Sequence, residues 1–207
     1  MSKNEVEIAV RLAISEYAQL GLNFRWITGP WTRPGFLEKL LIENGLSLGR
    51  RAFGMTRSSS IEETASNPRL RIEAVNDSNA NLWAQTYSRA WESSENSAPA
   101  QRAFVKNCLL DARLLNHLAY YDGIPAGIAS SAFLQHSAYF SNSAVLPEFR
   151  SKGIFRELVK THCRAAVERG QTMVSLYAFE DTSFPILKKM GFDVACESPQ
   201  YFYIHKL

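Results

Sequence analysis

The sequence predicts an α/β protein of the α+β kind, with a mixed central sheet flanked by helices and a helix-strand-helix-strand extension in front of it. Three observations carry this. From residue 68 the apolar spacing switches between the periods of strand and helix in the order strand-helix-helix-strand-strand-strand-helix-strand-helix-strand. Residues 114–121 and 124–134, joined by the turn Asp122-Gly123, form the clearest hairpin in the chain. Val174 to Phe179 follows a helix and is apolar at consecutive positions, as expected of a strand covered on both faces. With 207 residues, 46% of them hydrophobic and 12% aromatic, the chain is long enough to bury a substantial core as one large domain or one and a half.

Taken in order, Val6, Ala9, Val10, Ala13, Ile14 and Tyr17 recur at helical spacing, so the first twenty residues read as a helix closed by Gly21. A short aromatic strand over residues 23–28 leads into the turn Gly29-Pro30-Trp31-Thr32-Arg33-Pro34, where Thr32 is the expected N-cap and Pro34 fits a first helical turn. Phe36, Leu37, Leu40 and Leu41 stripe a helix that stops at Asn44-Gly45, and residues 46–56 read as one strand. This order returns at the end of the chain, so residues 1–57 are expected to be a partial, degenerate repeat of the second half of the later domain. Residues 58–67 are polar and end in Pro68, which makes them the linker to a domain over 68–207.

In that domain Leu70, Ile72 and Ala74 alternate with charged residues as a half-buried strand. Asp77 or Ser78 is the expected cap of a helix bearing Trp83, Tyr87, Ala90 and Trp91 on one face. Phe104, Val105, Cys108, Leu109 and Ala112 mark a second helix. After the hairpin, residues 137–146 form a strand. The helix over 154–168 turns Phe155, Leu158, Val159, His162 and Ala166 inward and leaves Arg156, Glu157, Lys160, Arg164 and Glu168 in water. Gly170 ends it, and a last helix over 183–190 precedes a final strand.

The junction between the strand at 137–146 and the helix at 154–168 has its own chemistry. Pro147 lacks an N–H and biases Leu146 away from helical dihedrals, so the strand must stop there. Beyond it, the first-turn amides of the new helix have no intrahelical partner, and the helix dipole adds positive potential beside Arg150 and Lys152. A phosphate or diphosphate is the guest such a corner suits, and Gly153 permits a sharp turn and a close backbone approach.

The run Val145-Leu146-Pro147-Glu148-Phe149-Arg150-Ser151-Lys152-Gly153-Ile154 resembles the acyl-CoA-binding signature of the GNAT superfamily of N-acyltransferases, V-x-P-x-x-R-x-x-G-x-G/A. Phe155 stands where the family has Gly or Ala; it is assigned to the sheet side, since toward the ligand it would crowd the diphosphate. The resemblance extends over 68–207, where the element order is that of the GNAT fold and the family's Asp-Gly-x-Pro-Ala-Gly hairpin recurs as Asp122 to Gly127. It implies acetyl-CoA as co-substrate and an amine, on a small molecule or a peptide, as acceptor. It implies that Arg150, Ser151, Lys152, Gly153, Ile154 and Phe155 hold the diphosphate. The backbone of Ala144 and Val145 would meet the thioester between two splayed strands, and Ser183 and Phe184 would flank the pantetheine arm.

Direct attack of the amine on the thioester needs a base for the amine and an acid for the departing thiolate. The family often places a Tyr at the position of Leu187, which cannot donate a proton, so Tyr177 or a water is the expected acid. Glu180, Asp181 or His136 is the expected relay for the amine proton, with Glu180 preferred. The altered positions, Leu187 and Phe155, leave a second reading open: an acyl-CoA-binding sensor that has lost efficient chemistry.

The remaining signals point away from other classes. A net charge of +3, from 23 basic and 20 acidic residues, does not define a nucleic-acid face. Cys108, Cys163 and Cys196 lack metal-ligand spacing and read as free thiols, with no metal expected. Cys163, in the helix after the corner, is unsuited as a nucleophile. His162 reads as a packed core histidine, His117 and His205 as strand residues without a visible partner, and Trp26 and Trp31 as packing groups. With neither a signal peptide nor a membrane-length apolar run, the protein is expected to be cytoplasmic, as a monomer or homodimer.

Overall fold

The first helix starts with a reciprocal cap. The Ser2 hydroxyl accepts from the Glu5 amide at 3.3 Å, and the Glu5 carboxylate accepts from the Ser2 amide at 2.6 Å, which satisfies two donors that the helix itself cannot. In the computed structural model of the chain, residues 2–60, 67–91 and 98–205 are described; residues 61–66 of the expected linker, and all but the last residue of the helix break expected from Ser93 to Ala98, lie outside them. They fall into two compact units, residues 1–55 with 177–207, and residues 56–176.

In the first unit, α1 (Lys3–Gln19) ends ahead of Gly21 at φ +65°, and α2 (Leu37–Glu43) ends ahead of Gly45 at φ +91°. Val6, Val10, Leu37, Leu40, Leu41, Leu46 and Tyr201 form its core, with Trp26 and Phe24 packed on it. Trp31, expected to pack, is 65% exposed. Thr32 does not cap α2. Its hydroxyl accepts from the Gly29 amide at 2.9 Å and its own amide donates to the Gly29 carbonyl, so it closes the turn before the helix, which begins only at Leu37.

Residues 46–56, read as one strand, are two: β2 (Ser47–Leu48) and β3 (Ala52–Ser58). They belong to different ladders, which no single straight strand can serve. The last strand, β10 (Gln200–Tyr203), lies antiparallel between β1 (Phe24–Ile27) and β2. In turn β3 lies between β8 (Met173–Phe179) and β9 (Asp193–Glu197). Gly49 stands at the break, where a Cβ would run into the Phe202 ring. The order α1-β1-α2-β2-β3 matches the order α5-β8-α6-β9-β10, with α5 at Ile154–Glu168 and α6 at Ser183–Lys189. Each series gives its last strand to a place between the two strands of the other.

The second unit is built on the antiparallel run β4 (Leu70–Ala74), β5 (Leu114–Tyr121), β6 (Ile124–Phe133) and β7 (Ser137–Val145), to which β8 adds in parallel, so the sheet is mixed as expected. The hairpin turn uses Asp122 at φ +50° and Gly123 at φ +79°. Side chains alternate between two cores. Leu118, Tyr120 and Ile128 pack with Trp83 and Ala84 of α3 (Ala80–Ala90) and Val105 of α4 (Ala98–Cys108). Ala119, Tyr121, Ala126 and Ala129 pack with Ile154 and Leu158 of α5. Asn79, rather than Asp77 or Ser78, occupies the N-cap position of α3; the Ser78 amide and hydroxyl are engaged by the Asn76 side chain, which makes a turn before the helix.

Two side chains assigned to the wet face of α5 are largely covered. Glu157 and Lys160 keep only 14% and 12% of their side-chain exposure, and Glu157 pairs with Lys160 at 3.5 Å and Arg164 at 3.1 Å. His162 is a packed core group as read, and His117 is its partner. Ser131 Oγ bonds His162 Nδ1, and His162 Nε2 lies 3.1 Å from His117 Nδ1 in the buried layer between α5 and the sheet. Burial pushes His162 well down and His117 down to about 4, the latter helped by the Arg169 charge. An unfolded chain takes up protons at these sites from about pH 6.5 downward, while the folded one stays neutral until about pH 4. Urea midpoints are therefore expected to fall as the pH drops from about 6.5 to about 4. His117 alone accounts for about 3 kcal/mol of the loss, and a flat profile over that window would contradict a neutral buried pair.

Candidate functional site

The predicted corner is formed by one continuous stretch of the second unit. β7 pairs in parallel with β8 from Ser137–Met173 to Phe140–Leu176, yet β7 itself runs on to Val145 beside β6. The ladder to β6 shifts register between Ile128 and Ser130, and Asn142 in the facing stretch takes φ +50°, the geometry of a bulge that redirects the strand end. The Leu146 amide then bonds the Ala126 carbonyl at 2.9 Å and fixes the exit. Pro147–Phe149 makes one 3-10 turn, and α5 begins at Ile154.

Between them Ser151 (φ +63°) and Gly153 (φ +82°) are both left-handed. No side chain caps α5, and no acceptor among the described residues is bonded by the amides of Ser151, Lys152, Gly153, Ile154 and Phe155. Alternating left-handed residues followed by an uncapped helix form a concave array of donors, which is what an oxyanion-rich group requires. The space beside Gly153 is open, so its constraint is the backbone angle. At Gly127 the constraint is space: a Cβ would meet the Ala144 carbonyl oxygen at 2.9 Å and Ile154 Cγ2 at 3.3 Å. A bare backbone at this point of β6 lets the end of β7 and the start of α5 come together.

Each predicted residue has a distinct place. Arg150 is exposed. The Lys152 ammonium lies 4.8 Å from the Tyr121 ring centroid and 5.2 Å from that of Phe149, and Tyr121 also carries the Arg69 guanidinium at 4.4 Å. Asp122, bonded by Arg69 and near Lys152, is held below the usual carboxylate range by those cations, Arg69 first. This basic-aromatic cluster was not legible as a unit in sequence, because Arg69, Tyr121 and Lys152 come from three separated segments. Ile154 is buried in the α5-side core and offers only its amide, while Phe155 is half-buried. Ala144 packs toward the α3–α4 core and Val145 toward the α5 core, so what they share with the corner is backbone.

Of the other predicted residues, Tyr177, Glu180, Asp181, Ser183, Phe184 and Leu187 belong to the first unit, and His136 and Cys163 to the second. Tyr177 is 41% exposed. The Glu180 carboxylate lies 3.5 Å from Arg51. Asp181 accepts from Arg50, which holds its carboxyl below the ordinary range and makes it a poor base at neutral pH. Ser183 Oγ accepts from the Phe179 amide at 3.1 Å, and the Phe184 ring makes a tilted pair with that of Phe53, centroids 4.7 Å apart. Leu187, at the position of the family's frequent tyrosine, is fully buried. His136 is exposed in the turn between β6 and β7. Burial pushes the Cys163 thiol up to about 12, so no thiolate forms there at neutral pH.

A mixed sheet flanked by helices, with this strand-to-helix corner at the end of β7, is an architecture shared with GCN5-related N-acetyltransferase structures. The Acetyltransferase (GNAT) family model matches residues 77–192, more than half of the chain, and the protein belongs to that family. No curated protein matches it significantly in sequence. Among solved structures it is similar to a functionally unknown conserved protein from Staphylococcus epidermidis, with 16% identity, TM-score 0.73, and coverage of 99% of this chain and 82% of that one. It is also similar to a GCN5-related N-acetyltransferase from Kribbella flavida, with 15% identity, TM-score 0.66, and coverage of 98% and 76%. An aminoglycoside N-acetyltransferase in complex with the bisubstrate analog CoA-S-monomethyl-acetylneamine shares 18% identity at TM-score 0.53, over 60% of this chain and 90% of that one. The first two similarities take in the N-terminal extension. No helix among the described residues is long and apolar enough to cross a membrane.

The two glycines separate the geometric demands of the corner. Gly153→Ala should cost about 1–2 kcal/mol through its left-handed backbone. Gly127→Val should cost at least about 1–3 kcal/mol through overpacking. Urea denaturation of both variants checks this, and a neutral Gly127→Val would mean that α5 does not sit against β6 as described.

Proposed function

We propose that the protein is an acetyl-CoA-dependent N-acetyltransferase that lets a bound amine attack the thioester directly. The observation that supports it most is the run of unbonded amides from Ser151 to Phe155 at the uncapped start of α5. Acetyl-CoA, when bound, supplies an activated acyl group. The chain's part is to grip, orient and move protons. Backbone amides of residues 151–155, with Arg150 and Lys152, would hold the diphosphate. The backbone of Ala144 and Val145 is the proposed donor to the thioester oxygen, and Ser183 and Phe184 are the proposed contacts of the pantetheine arm. In this reading Glu180 takes the proton of the amine, directly or through water, and the Tyr177 hydroxyl gives one to the thiolate. The acceptor is an amine on a small molecule or a peptide. We also propose that residues 1–57 are a partial repeat of this domain, joined by residues 58–67 to a transferase domain over 68–207, and that the protein is cytoplasmic.

Leu187 supports a second reading, a CoA-binding sensor, because its buried alkyl side chain leaves that position without an acid. Calorimetry with CoA and a mass-spectrometric screen of amines with acetyl-CoA separate the two. An enzyme is expected to bind CoA, to acetylate at least one amine, and to lose roughly 10²-fold or more in kcat in Glu180→Gln. Arg150→Ala with Lys152→Ala should raise KM for acetyl-CoA severalfold with less effect on kcat. CoA binding without transfer to any amine would favour the sensor, and no CoA binding would end both readings.

A further inference from the structure

The turn between β8 and α6 and the first residues of α6 carry Glu180, Ser183 and Phe184, three of the residues on which the proposed function relies, and the turn is tied down by two consecutive arginines from the N-terminal extension. Arg50 and Arg51 occupy the break between β2 and β3. The Arg50 guanidinium bonds the Asp181 carboxylate, donates to Thr182 Oγ1 at 3.2 Å and lies 4.3 Å over the Phe179 ring. The Arg51 carbonyl accepts from the Glu180 amide at 3.1 Å. Its guanidinium faces Glu180 Oε1 at 3.5 Å on one side and both oxygens of Glu197 at 3.2 Å on the other. Next along β3, the buried Phe53 ring lies against that of Phe184 in a tilted pair. Four consecutive residues of the extension that include two cations and one aromatic thus reach residues 179–184 by main chain, charge and ring.

We infer that Arg50 and Arg51 are positioning residues for the pantetheine side of the acyl-CoA site, acting through the turn at 180–184, so that the N-terminal extension is a working part of the transferase. This rests on the acyl-CoA reading above. Several features favour positioning over simple stabilisation. All the charged groups are about half-exposed, and an exposed ion pair adds little to global stability. Their effect is local: they restrict a short turn that has an exposed acidic pair at its apex and would otherwise sample many conformations. Two acidic residues side by side also repel each other, and the arginines neutralise one each while holding them apart.

The ligand pair that tests this is CoA and adenosine 3′-phosphate 5′-diphosphate, which keeps the diphosphate and lacks the pantetheine arm. Calorimetry on the full chain is expected to show both binding to the wild type. In Arg50→Ala/Arg51→Ala the Kd for CoA should rise about tenfold while that for the nucleotide stays unchanged, because an ordered turn is lost on the arm side alone. Arg50→Lys/Arg51→Lys should recover part of the CoA affinity. Equal weakening of both ligands would reduce the arginines to a structural role, and no change in either would remove them from the site; both outcomes overturn the inference and leave the acyl-CoA reading intact. A wild type that binds neither ligand would overturn that reading and this inference with it.

Discussion

The close seat of α5 on the sheet is the constraint from which the rest follows. Helix and strand can approach only as far as the side chains between them allow, and here Ala119, Ala126 and Ala129 stand beside Tyr121 in that core, with no side chain at all at Gly127. Because Gly127 leaves room for the Ala144 carbonyl and the Ile154 side chain, the end of β7 and the start of α5 meet within a loop of a few residues. In that connection two residues, Ser151 and Gly153, take left-handed angles, the backbone geometry from which anion-binding nests of amides are built. The donor array is thus a consequence of tight packing a few ångströms away.

The same layer carries a polar device. Ser131, His162 and His117 are linked by hydrogen bonds in the buried layer, which ties α5 to β5 and β6 two turns beyond the corner. Burial keeps both rings neutral near neutral pH, so the chain of hydrogen bonds holds without an uncompensated charge.

The reciprocal placement of terminal strands explains why the extension cannot be a detachable appendage. β10 completes the small sheet of the extension, and β3 fills the place between β8 and β9. Each is an edge that would otherwise expose unpaired backbone, so the insertion satisfies hydrogen bonds on both sides of the inserted strand. It also carries Arg50, Arg51 and Phe53 to the turn at 180–184, where local sequence contains acids and no cations to match them.

By itself the sequence determined the elements whose cause is local: the hairpin at Asp122-Gly123, the end of β7 at Pro147, α5 from Ile154 to Glu168 and the helix stops at Gly21 and Gly45. These follow from backbone chemistry and side-chain period, which act within a few residues. The diphosphate corner was legible for the same reason, since the Arg, Lys and Gly that mark it are contiguous. Tertiary structure alone decided what depended on partners far along the chain. It split residues 46–56 between two ladders, gave His117 a partner 45 residues away and covered Glu157 and Lys160 against α5's expected polarity. It also brought Arg50 and Arg51 to Glu180 and Asp181 across some 130 residues. No local pattern encodes such pairings, because their energy exists only once packing has removed water from between segments that the chain keeps apart.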